Sequence, residues 1–301
     1  MILSASGWRD VFAADRDAES RLKEISGFHA FAAAAAADVF ADFIRDKNGG
    51  GAPRVIVGLD TRPTGMAIAE QVLDALLAKG GLVFFCGVTA APEIMAYARS
   101  LGREGGADGF IYISASHNPI GYNGMKFGLT DGGVLGGADM ARLETEFTAR
   151  LSSRGDVFPD PAGTGNSDLK EALNNAGRHK NAALAAYTDF SLETASGGQA
   201  AVLTELKEAV KAAPLGIAAD FNGSARALSI DKGFFNNLGL KFRAINGKAG
   251  EIAHKIVPEG DALIPCRDFL SEIRRTDKDF LLGYVPDCDG DRGNIVFFDE
   301  N

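Results

Sequence analysis

Two short segments concentrate the side chains able to do chemistry. The first is Ser114-Ala-Ser-His-Asn-Pro119, followed by Ile-Gly-Tyr-Asn-Gly-Met-Lys126. A serine in a loop just past the carboxyl end of a strand can act as a nucleophile or phosphoryl carrier. That role falls on Ser116. His117 beside it can serve as acid, base or phosphate donor, and Lys126 can neutralise phosphate charge. An ordinary turn competes with this reading, since Asn-Pro and Asn-Gly are turn dipeptides and serine is common near them.

The second segment is Asp287-Cys-Asp289-Gly-Asp291-Arg292. Carboxylates at alternate positions on a loop can converge on a hard cation such as Mg²⁺, Mn²⁺ or Ca²⁺. An EF-hand does not fit, because Arg292 would fall where glycine is needed and Phe298 where the bidentate glutamate is needed. A solvated acidic turn is the alternative. Three aspartates this close repel one another unless something neutralises them, which favours a metal. Arg292 beside such a site is suited to a bidentate grip on phosphate. A third segment, Gly58-Leu-Asp-Thr-Arg-Pro-Thr-Gly65, reads as a strand–loop–helix junction with Thr64 as helix cap and Arg62 in the turn. Ser6-Gly-Trp-Arg9 is too short to carry weight by itself.

The elements that must position these loops alternate short β-branched runs with longer helical stretches, which signals α/β layers. The pattern predicts a helix over 28–46, strands at 54–59, 82–86 and 109–113, and helices at 64–79, 92–101 and 138–152. Residues 114–137 read as a long polar loop and 153–168 as a Gly/Pro-rich surface excursion. The segment near 191–200 reads as a boundary. Beyond it come strands at 215–220, 241–245, 280–284 and 294–298, with helices at 225–238 and 265–275. VIVGLD at 55–60 and LGIAAD at 215–220 are both apolar strands ending in Asp before a Gly-containing turn. Together with the polar loops after FIYIS and FLLGYV, they suggest one α/β unit used twice.

Composition narrows the function classes. The 301 residues are 46% hydrophobic and 24% charged, enough for packed cores and against overall disorder. Lys and Arg number 31 against 40 Asp and Glu, a formal charge of −9, with no basic run. That argues against nucleic-acid binding but not against a small anionic ligand held by a few convergent cations. Cys86, Cys266 and Cys288 are too scattered for a disulfide framework or a metal knuckle. No signal peptide is evident, and no apolar run reaches the eighteen or so residues of a membrane span. The expectation is a soluble cytoplasmic protein with no membrane partner.

Taken in order, SGWR at 6–9, GLDTRPTG at 58–65, GVTAAPEI at 87–94, SASHNPIGYNGMKFG at 114–128 and DCDGDR at 287–292 resemble the α-D-phosphohexomutase family, with DFNGSAR at 220–226 a weaker match. That family includes phosphoglucomutase and phosphomannomutase. The resemblance implies two similar three-layer α/β/α domains with mixed sheets: residues 1–195 bearing a phosphoserine loop, and 196–301 bearing a metal loop. It implies that Ser116 carries the phosphoryl group and exchanges it with a hexose phosphate through a bisphosphate, moving phosphate between C1 and C6 of glucose or mannose. Asp287, Asp289, Asp291 and a phosphoserine oxygen on Ser116 would bind one Mg²⁺, with glucose 1,6-bisphosphate or an equivalent as primer. His117, Lys126 and Arg292 match positions around the transferring phosphate. Arg9, Arg62 and Asn118 match substrate- or phosphate-binding positions near the cleft.

The departures define the alternatives. The family has four domains, and neither the sugar-recognition loop of domain III nor the phosphate-binding loop of domain IV is found here. Ala5 and Ala91 stand where Thr is usual. With nothing to grip the non-reacting phosphate, little mutase turnover is expected. Apolar surface left uncovered would favour self-association. A metal-dependent phosphatase with Asp287 as nucleophile, and a non-catalytic phosphosugar-binding protein, are the competing functions.

Overall fold

Strand Trp8–Val11 (β1) opens the chain, and helix Gly27–Lys47 (α1) follows. The computed structural model describes residues 1–4, 7–152 and 167–299. Ser26 caps α1, its Oγ accepting the backbone N–H of His29 at 3.2 Å, and Arg45 and Lys47 sit in the last turn, where cations suit the helix dipole. Ala32 to Ala37 are all buried, and these small side chains let α1 lie close against its neighbours. By length and composition α1 is long and apolar enough to cross a membrane, which a search for unbroken apolar runs does not reveal. Here 72% of its apolar window is buried inside the protein, as expected of a core helix.

Strand Arg54–Leu59 (β2), helix Gly65–Ala78 (α2) and strand Leu82–Val88 (β3) form a parallel crossover. Thr64 occupies the cap position of α2, but its hydroxyl does not cap. Its Oγ1 instead accepts Nδ2 of Asn123 at 3.0 Å. Helix Ala91–Arg103 (α3) leads to Gly109–Ile113 (β4), buried along its whole length as a central strand should be.

The stretch expected to be a long loop contains a strand, Tyr122–Leu129 (β5), antiparallel to both β4 and β1. Its glycines conceal it in the sequence yet are required by it. A Cβ on Gly124 would run into the carbonyl oxygen of Trp8, and one on Gly128 into the ring of Phe110. The first sheet therefore has the order β1-β5-β4-β2-β3.

Helix Gly137–Ser152 (α4) packs against α1. Most of the 153–168 excursion, like Ala5, Ser6 and Asn301, lies outside the described residues. Three helices that the sequence did not announce come next: Ser167–Asn174 (α5), Ala176–Ser196 (α6) and Ala200–Ala212 (α7). The 191–200 segment is thus the end of α6, then Gly197 and Gly198 at φ +58 and +76, and the start of α7.

The second series runs Gly216–Asp220 (β6), Asp231–Asn237 (α8), Lys241–Ile245 (β7), Ile264–Thr276 (α9), Phe280–Pro286 (β8) and Gly293–Phe297 (β9). The helix expected over 225–238 is two pieces, a 3₁₀ turn at Ala225–Leu228 and then α8. Between them Ser229 is extended (φ −97, ψ −170), and the Ala225 N–H is drawn away to the carbonyl of Cys288.

The second sheet has the order β7-β6-β8-β9. β6 pairs parallel with β7 and β8, and β8 antiparallel with β9. β2 pairs parallel with β3 and β4, and β4 antiparallel with β5. The α/β unit suggested by the two Asp-terminated strands is used twice.

Candidate active site

The repeat decides where the two polar loops lie. Ser114–Pro119 lies at the turn between β4 and β5, and Asp287–Arg292 at the turn between β8 and β9. These are equivalent corners of the two units, and the corners meet. Ser116 Oγ donates to Asp287 Oδ2 at 3.2 Å.

Ser116 is fully buried with φ +52, a left-handed backbone that costs a non-glycine residue about 1–3 kcal/mol and must be held in place. Two groups hold it. Its backbone N–H donates to Ser114 Oγ at 2.8 Å, and its carbonyl oxygen accepts Arg62 Nη2 at 2.6 Å. The same guanidinium donates to the carbonyls of Asn118 (2.7 Å), Pro119 (2.5 Å) and Tyr122 (2.9 Å), and its Nε to Asp60 Oδ2 at 3.1 Å. Arg62 is only 2% exposed. Its donors are occupied by Asp60 and four loop carbonyls, and it shapes the serine loop. Asn118 enters the arrangement through the carbonyl it presents to Arg62.

Asp60 was not anticipated. Burial pushes its carboxyl up, and Arg62 beside it opposes that. Ser114 Oγ lies 2.7 Å from Asp60 Oδ2 and 3.1 Å from Asp289 Oδ2, so one hydroxyl ties the Arg62 turn, the serine loop and the aspartate loop together. A signal existed for both. Asp60 directly follows β2 and Asp220 closes β6, each accepting the N–H two residues on. Ser114 is the first residue after β4, as Asp287 is after β8.

Ligand oxygens of Asp287, Asp289 and Asp291 all lie within 4.8 Å of one another. Lys126 Nζ donates to Asp289 Oδ2 at 2.8 Å and to Asp291 Oδ2 at 3.1 Å. Burial pulls the Lys126 ammonium down, but those two carboxylates outweigh it and leave it raised. Burial and the neighbouring acids push Asp287 well above the usual carboxylate range. Burial also works against ionised Asp289, yet Lys126 keeps it below its ordinary value. One lysine does not neutralise three acids. Among the described residues Asp289 Oδ1 is buried with no hydrogen-bond partner, an expensive condition for a carboxylate oxygen. An orphaned oxygen, two further carboxylates and a serine hydroxyl make a hard, all-oxygen donor set of the kind Mg²⁺ takes.

His117 Nδ1 lies 2.8 Å from Arg292 Nη1 and 3.5 Å from Ser116 Oγ. Arginine can only donate, so Nδ1 accepts and the ring proton sits on Nε2. Burial, then the Arg292 charge, lowers the imidazole and favours the neutral ring. Arg9 lies on β1 opposite Gly124 and shares a cavity of about 260 Å³ with Tyr112, Lys126, Asp291 and Arg292. The fold thus gathers Ser116, His117, Lys126, Arg292, Arg9 and the three aspartates at one place.

Residues 5–154 match the family model described as phosphoglucomutase/phosphomannomutase, alpha/beta/alpha domain I. The chain belongs to the α-D-phosphohexomutase family. Among its phosphohexomutase relatives, the phosphoglucosamine mutase of Lactococcus lactis is 29% identical over 265 residues, 87% of this chain and 50% of that protein. That of Macrococcus caseolyticus is 35% identical over 124 residues, 41% of this chain and 26% of that protein. A phosphoglucomutase/phosphomannomutase family protein from Burkholderia thailandensis superposes on the fold with a TM-score of 0.60 at 20% identity. That match covers 98% of this chain and 55% of that one. The chain spans about half the length of the phosphohexomutases it matches.

Proposed function

We propose that this chain carries the phosphoserine and metal part of a phosphohexomutase active site, with Ser116 as phosphoryl carrier. The observation that supports it best is the approach of Ser116 Oγ to Asp287 Oδ2, 3.2 Å across two loops 171 positions apart. An isolated serine in a turn would need no metal-type carboxylates against it.

In this reading the Oγ–phosphorus bond of phosphorylated Ser116 breaks as a sugar hydroxyl forms its own oxygen–phosphorus bond. The proton of that hydroxyl ends on the serine oxygen, so the serine alcohol is regenerated. Phosphoryl transfer of this kind needs mostly positioning and neutralisation of charge. Asp287, Asp289 and Asp291 would hold Mg²⁺, which supplies Lewis-acid neutralisation of phosphoryl oxygens when bound. Arg292 and Lys126 add fixed positive charge, and Nε2–H of His117 is a donor for a phosphoryl oxygen. Arg9 extends the cationic wall towards the neighbouring cavity. The substrate class is a hexose phosphate, and the names of the relatives add glucosamine phosphate to glucose and mannose phosphates as candidates.

The test is intact mass and phosphosite mapping after incubation with Mg²⁺ and glucose 1,6-bisphosphate, beside Ser116→Ala. One phosphoryl group on Ser116, absent without Mg²⁺ and in the variant, is the expected result. Phosphate on Asp287 would overturn the reading in favour of an aspartyl phosphatase. Mg²⁺ binding without any phosphoenzyme would leave a binding protein.

A further inference from the structure

Arg226 closes the DFNGSAR segment, in the 3₁₀ turn after β6, and its side chain is only 10% exposed. Its Nη2 and Nε donate to Asp231 Oδ1 at 2.7 and 3.3 Å. Its Nη1 donates to the hydroxyl of Tyr187 on α6 at 2.7 Å. Tyr187 lies on the same stripe of α6 as Lys180 and the fully buried Ala183, at three- and four-residue spacing. Lys180 is ion-paired with Glu93 of α3, itself fully buried. α6 is therefore a strut, fixed to the first unit through Lys180 and to the second through Tyr187 and Arg226.

The methylenes of Arg226 lie against the aspartate loop. A Cβ placed on Gly290, which has φ +73, would be 2.5 Å from both Cγ and Cδ of Arg226. On that flank the Ala225 N–H donates to the Cys288 carbonyl at 3.0 Å. On the other, the Ala91 N–H at the start of α3 donates to the Asp289 carbonyl at 2.8 Å. The peptide units that carry the aspartates are gripped by both units, and Arg226 bears on the apex between them.

We propose that Arg226, braced by Asp231 and Tyr187, is a positioning residue that sets the aspartate loop against the Ser116 loop. Arg226 touches neither the three aspartates nor Ser116 through any hydrogen bond; it acts through the backbone at Gly290. The proposal rests on the metal reading of that loop. Groups one layer behind metal ligands typically change affinity by about 10–100-fold when removed.

Arg226→Met keeps a stem against Gly290 and deletes the guanidinium; Tyr187→Phe deletes one hydroxyl. Mn²⁺ binding to the 301-residue chain, read from the electron paramagnetic resonance of free Mn²⁺, should weaken about tenfold in Arg226→Met. It should weaken by a smaller factor in Tyr187→Phe. Thermal melts run alongside separate this from general destabilisation, because binding is measured well below the melting point. Folded variants that bind Mn²⁺ as tightly as the unsubstituted chain would overturn the proposal. If Arg226→Met does not fold, unchanged affinity in Tyr187→Phe has the same force. Failure of the unsubstituted chain to bind Mn²⁺ would overturn the metal reading itself, and the proposal with it.

Discussion

Arg62 Nη2 donates to the carbonyl oxygen of Ser116 over 2.6 Å, so the residue that looks like a phosphate ligand is the one that bends the serine loop. Arg62→Met removes the guanidinium from four loop carbonyls and leaves Asp60 as an uncompensated buried acid. The expected cost is about 3–5 kcal/mol of stability, with phosphorylation of Ser116 lost in step. Arg9→Met should instead lower phosphoryl transfer while leaving the melting temperature close to that of the unsubstituted chain. Thermal melts beside phosphosite occupancy check both, and an Arg62→Met protein of unaltered stability would contradict this account.

Ser114 predicts a different pattern. Its hydroxyl serves the Ser116 N–H, Asp60 and Asp289 at once. Ser114→Ala leaves buried polar groups without partners at about 1–3 kcal/mol. It should also slow phosphorylation of Ser116, because the left-handed Ser116 backbone loses one of its two supports. Ser114→Thr restores the hydroxyl and should recover most of the rate. Equal rates in the Ala and Thr variants would show that the hydroxyl does not position the loop.

Metal and charge have opposite signs at the aspartate loop. In EDTA, Asp287→Asn relieves repulsion and burial of a charge while its amide oxygen still accepts the Gly290 and Arg292 N–H groups that Asp287 Oδ1 holds. Its melting temperature without metal should therefore equal or exceed that of the unsubstituted chain. Mg²⁺ at about 100 times Kd should add about 2.7 kcal/mol to the unsubstituted chain and little to the variant. Calorimetry with and without Mg²⁺ reads both signs, and a variant that keeps the full Mg²⁺ effect would remove Asp287 from the ligand set.

In the second unit, His254 Nε2 lies 3.0 Å from Asp220 Oδ2, and that hydrogen bond raises the imidazole above its ordinary 6.5 despite partial burial. A group raised on folding stabilises fully below its unfolded value, and its contribution fades as pH climbs through the folded value. The unsubstituted chain should lose stability relative to His254→Gln as pH rises from below the ordinary imidazole value of 6.5 through the raised folded value. Melts across that interval test it; parallel curves for the two proteins would show that the pair is not linked to folding.

The legibility of the sequence divides along physical lines. Continuous apolar strands were readable because burial on both faces leaves little choice of side chain, as in Val55–Leu59 and Gly109–Ile113. β5 was not, because close backbone approach requires Gly124 and Gly128 where a strand pattern would show branched residues. α6 was missed because its stripe holds a lysine and a tyrosine, whose partners Glu93 and Arg226 lie far away along the chain.

The sequence by itself determined the chemistry at hand: a serine–histidine loop and an aspartate–arginine loop, each after a strand in a repeated α/β unit. Side-chain type and local spacing are enough for that, since the ability to carry a phosphoryl group or ligate a hard cation belongs to the residues themselves. Tertiary structure alone decided which of these groups meet and which hold the loops in place. Arg62 and Arg292 read alike in sequence, yet Arg62 is buried under carbonyls while Arg292 is exposed beside His117. That difference arises because a guanidinium takes its role from the acceptors that surround it, and here those acceptors are gathered from several loops only when the two units pack.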